Sequence, residues 1–76
     1  MKELVEYIVK SIVKEPEKVN ITEENDDGGV LVVKLEVAPD DKGRVIGKQG
    51  RVAEAIRTLL RVKAAKEETR VRLTIL

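Results

Sequence analysis

Val45-Ile46-Gly47-Lys48-Gln49-Gly50-Arg51-Val52-Ala53 is the stretch whose reading decides this chain. Gly47 and Gly50 lie three apart and enclose Lys48 and Gln49. An apolar step, Val45-Ile46, precedes them, and a long helical pattern follows. Glycine lets a backbone turn tightly and lets a second backbone come close, because no Cβ intervenes. Lys48 supplies a mobile cation at the tip. A helix start behind it supplies N–H groups without intrahelical partners and the positive end of a dipole. Together these suit a sugar-phosphate backbone.

Charge agrees with that reading once it is mapped along the chain. The net charge of the 76 residues is only +1. Residues 1–41 hold five lysines against eleven acids, a net −6, while residues 42–76 hold ten basic residues against three acids, a net +7. The basic half surrounds the glycine loop and points to an anionic partner.

Outward from the loop, the pattern gives the elements. Leu4, Val5, Ile8, Val9, Ile12 and Val13 form one stripe and predict a helix over 2–14, ended by Pro16. Residues 18–25 alternate, Asn25-Asp26-Asp27-Gly28-Gly29 is a turn cluster, and 30–37 alternate again, which predicts a hairpin. Val30 and Val32 make the second strand apolar on both faces, as a central strand would be. With Leu76 they form a candidate contact patch on the face away from the helices. Tyr7 is expected at the edge of the core. After Pro39, Asp40 or Asp41 can cap a short helix over 42–46. A longer helix follows over 50–64, with Val52, Ile56, Leu59, Leu60 and Lys63 inward and Arg51, Glu54, Arg57 and Arg61 outward. A last strand covers 69–76. The first two strands must be antiparallel, and the two-helix crossover permits a parallel third. The predicted fold is α+β: a three-stranded mixed sheet with helices packed on one face.

Several chemistries are excluded. There is no cysteine and no histidine, so thiolate metal sites, disulfides and the usual general base are missing. The P-loop needs four residues between its glycines; Gly43 and Gly47 have three, and Gln49 stands where Ser or Thr would hold magnesium. Asp26-Asp27 and Asp40-Asp41 sit where turns and caps use aspartate. With Ser11 alone on a helix, no nucleophile and base pair up, so no catalytic residue, cofactor or metal site is expected. No apolar run reaches membrane-span length and no signal-peptide core is seen, which makes a cytoplasmic location the default. With Tyr7 as the sole aromatic residue, modules that stack bases on a sheet are poor fits. The module that clamps backbone with a G-x-x-G loop remains.

These residues resemble the KH domain signature, in which an Ile-Gly-x-x-Gly loop joins two helices. Ile46, Gly47 and Gly50 carry the match, with Ile56 behind them. The order αββααβ is similar to the type II form, and the whole of 1–76 resembles the stand-alone bacterial KH proteins of the KhpA type. The resemblance implies one domain, with 1–29 as an N-terminal α/β extension and 30–76 as the KH core. It implies a groove for about four single-stranded nucleotides, with Gly47, Lys48, Gln49 and Gly50 on the phosphates. Val45, Ile46 and Ala53 would lie beneath the bases, and Arg44, Arg51, Arg70 and Arg72 would form the rim. Where many KH domains carry a large aliphatic residue three positions after the second glycine, this chain has Ala53, which either makes the groove floor shallower or shifts its filling to Val52 and Ile56. The implied activity is RNA binding as a chaperone or adaptor. The implied partner is a second copy, or a larger KH-containing RNA-binding protein of the KhpB (Jag or EloR) type. The rival reading is a KH-fold scaffold that binds protein and no RNA.

Overall fold

β2 (Val30–Glu36) is the middle strand of the sheet, and the rest of the molecule is arranged around it. The computed structural model describes residues 1–76 in the order α1 (Lys2–Lys10), β1 (Asn20–Asn25), β2, α2 (Lys42–Ile46), α3 (Arg51–Lys66) and β3 (Arg70–Ile75). Short 3-10 turns at Pro16–Lys18, Pro39–Asp41 and Lys48–Gly50 join them. β1 pairs antiparallel with β2, Ile21 opposite Leu35, and β3 pairs parallel with it, Leu73 opposite Val33. This is the predicted α+β architecture with a mixed sheet. The hairpin turn is built by Asp26, whose Oδ1 accepts the N–H groups of Gly28 at 2.8 Å and Val30 at 2.9 Å.

One face of the sheet is dry. Ile21, Val33, Leu35 and Leu73 meet Val5 and Val9 of α1, Val45 of α2, and Ile56 and Leu60 of α3 in a single core. Each fully buried Val or Leu contributes roughly 1.5–3 kcal/mol, so the phase of each helix is fixed by this contact. α3 turns Ala53, Ile56, Leu60 and Ala64 inward. The expected inward Leu59 is instead 51% exposed. α3 carries two overlapping apolar stripes, and the one with alanines at its ends lets the helix lie close to the sheet.

Other expectations are corrected. α1 stops at Lys10, short of residue 14. Ser11 Oγ donates to the Tyr7 carbonyl at 2.7 Å, and the N–H groups of Ser11 and Ile12 reach back three residues, tightening the last turn. Tyr7 is 75% exposed and lies outside the core. Val32 is buried and offers no contact patch; Glu24 and Arg72 flank it in register across the strands, and long charged side chains cover apolar surface with their stems. No helix is long and apolar enough to cross a membrane.

Candidate nucleic-acid interface

α2 ends where Gly47 takes φ 76° and ψ 171°, a backbone conformation almost confined to glycine. A Cβ there would stand 2.4 Å from Val52 Cγ2 and 2.8 Å from the Val52 nitrogen. Gly47 is therefore required twice, by its dihedrals and by the close approach of α3. Gln49 (φ 57°) and Gly50 (φ 75°) are also left-handed, and Gly50 has no atom within 4 Å of its missing Cβ. The turn hands the chain into α3 at Arg51 with no side chain capping the helix. Lys48 and Gln49 are exposed on it. A helix start that no side chain caps leaves N–H groups free and has the positive end of the dipole, which favours an anion, and Lys48 adds a cation beside it.

The other predicted site residues divide into three groups. Arg44 and Arg51 are exposed on either side of the loop, and Ile46 offers an apolar surface that is 36% exposed. Val45 is fully buried and Ala53 is 3% exposed. Both serve the core beneath the loop and present no open floor, because the first turns of α2 and α3 pack against the sheet through them. Arg70 and Arg72 are exposed on the edge strand β3, in register with Val30 and Val32, with Arg72 Nη2 3.8 Å from Asp26 Oδ2.

Asp41 holds this region to the rest of the molecule. It does not cap α2. Its carboxylate accepts the Lys14 N–H at 2.9 Å and the Glu15 N–H at 3.0 Å, and Arg44 Nε lies 3.8 Å away. The Lys14 N–H bond is the main cause of a pKa lowered from the ordinary 3.8. Burial opposes the shift, and the Glu15 N–H and Arg44 add to it.

Sequence reading missed the concave part of the surface. A cavity of about 190 Å³ lies between α3 and β3, lined by Arg57, Leu60, Arg61, Val71, Arg72 and Leu73. A second, of about 320 Å³, continues past Ala64, Ala65, Thr69 and Arg70. No residue of the glycine loop lines either one. Arg57 and Arg61, read as a solvated face, border the first. Their outward helical phase was visible in the sequence. The return of β3 alongside that phase was not.

The KhpA/KhpB KH-domain family profile matches residues 2–75. The chain belongs to this family. Three of the RNA-binding proteins KhpA show how far the likeness runs. The chain is 49% identical to that of Halalkalibacterium halodurans over all 76 of its residues and 99% of the relative. It is 50% identical to that of Listeria monocytogenes, again over the whole chain and 99% of the relative. It is 42% identical to that of Treponema pallidum over 97% of this chain and 91% of the relative. Membership in the KhpA/KhpB family agrees with the type II order of elements. It also gives the Gly47–Gly50 turn its family counterpart, the G-x-x-G loop that clamps nucleic-acid backbone.

Proposed function

We propose that this chain binds single-stranded RNA without catalysing a reaction on it. The observation that carries the reading is the left-handed glycine turn that presents Lys48 at the uncapped start of α3. Phosphates sit against Gly47, Lys48, Gln49 and Gly50, with Arg44 and Arg51 beside them and Ile46 under the nearest base. The name carried by the relatives, RNA-binding protein KhpA, supports this. The protein acts in the cytoplasm as an RNA chaperone or adaptor, paired with a second copy or with a larger KH protein of the KhpB type. Leu59 and Val62 are the apolar pair for such a contact: they lie one turn apart on α3 and are 51% and 64% exposed.

Binding by one domain is weak, because the site is small and without aromatic stacking. A micromolar dissociation constant, about −8 kcal/mol, is expected. With about three phosphate contacts, log K falls against log salt with a slope near −2. The decisive experiment is a gel shift with the Lys48→Asp/Gln49→Asp double variant. Both positions are exposed, so its melting temperature stays close to wild type while RNA binding disappears. Wild-type affinity in the double variant would overturn the assignment.

A further inference from the structure

We infer that Asp41 is a positioning residue for RNA binding: it holds the Arg44 guanidinium in place beside the glycine loop before any phosphate arrives. This rests on the RNA-binding reading and adds to it a residue that acts only through another. Arg44, Lys48 and Arg51 are the cations at the loop, and all three are exposed. Lys48 and Arg51 enter none of the ion pairs of the molecule. Arg44 alone is tied, with its Nε 3.8 Å from Asp41 Oδ1. Its tether is the one charged side chain that the fold buries, 1% exposed.

By charge alone, Asp41 is in the wrong place. A carboxylate beside a phosphate site repels the ligand. Its bonds show what it does instead. Oδ1 accepts the Lys14 N–H and Oδ2 accepts the Glu15 N–H, so both oxygens are held and the carboxylate is fixed in space. A fixed anion gives Arg44 a fixed partner. The two residues are three apart, a spacing that puts their side chains on one side of a helical turn. The contact is made through Nε, the inner nitrogen of the guanidinium. That leaves the two Nη groups to fork onto phosphate oxygens, on a side chain that is 49% exposed. The base of the arginine is fixed as well. α2 has only five residues, too few to hold a helix by its own bonds. It is anchored by Val45 in the core and by Asp41 at its start. Immobilising a rotamer-rich side chain on binding lowers affinity by about two- to tenfold. An arginine that is already held avoids part of that loss.

Two measurements test this. The first is made on the free wild-type protein, by nitrogen relaxation of the arginine Nε–H groups. Arg44 should be clearly more ordered than Arg51 on the other side of the loop. Equal mobility of the two would overturn the proposal, and this arm decides alone if Asp41→Asn does not fold. The second is the affinity for a labelled random-sequence RNA tetranucleotide, measured by fluorescence anisotropy over a salt series. It compares wild type, Asp41→Asn, Arg44→Ala and the double variant at a temperature where circular dichroism shows each one folded. Arg44→Ala should weaken binding about tenfold, the worth of one charge-assisted hydrogen bond, and make the salt slope shallower by ~0.7. Asp41→Asn should weaken it by about threefold, although it removes a negative charge from the site, and should add no further loss in the Arg44→Ala background. Tighter binding by Asp41→Asn would overturn the proposal, because Asp41 would then act as a repelling charge. An equal loss in both backgrounds would overturn it too, because Asp41 would then support the loop and not Arg44. Both outcomes leave RNA binding at the loop standing. If wild type binds no RNA, the RNA reading itself fails and takes the proposal with it.

Discussion

The two ends of α3 use the same backbone device for opposite purposes. At the start, Gly47, Gln49 and Gly50 take positive φ, and no side chain caps the helix that follows. At the finish, Glu68 takes φ 56°. There the N–H groups of Glu67, Glu68 and Thr69 return to the carbonyls of Lys63, Ala64 and Ala65, closing the helix on itself. One left-handed turn leaves a helix start without a side-chain cap. The other seals a helix end so that β3 can fold back alongside. The difference shows that the local sequence specifies the loop, whereas the cavities between α3 and β3 exist only once the two elements have been assembled.

The largest effect expected from breaking this contrast is at Gly47. An alanine there meets both a glycine-only conformation and the Val52 side chain, for a cost on the order of 3 kcal/mol. Gly50→Ala carries the backbone penalty with open space around it, roughly 1–2 kcal/mol. Urea unfolding of the two variants separates the terms. Val52→Ala in the Gly47→Ala background should recover part of the loss, and a double-mutant cycle measures how much. Equal costs at the two glycines would mean that the approach of α3 does not fix Gly47.

A smaller effect lies at Asp41, which anchors the loop end to residues 14 and 15. Its pKa is lower in the folded chain than its ordinary 3.8, chiefly because of the Lys14 N–H bond. A depressed carboxylate stabilises the fold fully above its unfolded pKa, and that stability is lost as pH falls through the folded value. Wild type should therefore be more stable than Asp41→Asn at pH 7, and the gap in melting temperature should close as pH drops below about 4. A gap that stays constant through the acid range would show that the charge of Asp41 is not what matters.

What the sequence made legible follows the same division. The order of elements, the central β2 and the limits of α2 were readable because each rests on local periodicity or on Gly and Pro. The end of α1 was not, because the bonds that draw Lys14 and Glu15 away come from Asp41, which lies 27 and 26 residues along the chain. The exposure of Leu59 is not legible because nothing local tells which of two stripes on α3 will meet the sheet. The burial of Val45 and Ala53, expected as groove floor, is not legible because it depends on the depth at which α2 and α3 pack. Arg57 reads as outward for the related reason that nothing local shows β3 returning beside it.

The smallest expected effect sharpens the sealed end. Glu68 is a non-glycine residue in a left-handed conformation, at the position where helices most often place glycine. Its side chain is exposed and enters none of the ion pairs around α3, which join Lys63 to Glu67 and Arg61 to Glu54. Glu68→Gly removes the steric cost of positive φ but adds chain entropy to the unfolded state, and these terms oppose each other. The steric term, ~1–2 kcal/mol, exceeds the entropic one, ~0.4–1 kcal/mol. A net gain of roughly 0.5–1 kcal/mol should remain, seen as a rise in melting temperature of a few degrees. Affinity for a tetranucleotide should not change, because the loop end of α3 is untouched. A fall in stability would mean that the three returning N–H bonds fix this turn so firmly that its φ carries no strain, and the two ends of α3 would then differ in how they are held as well as in what they hold.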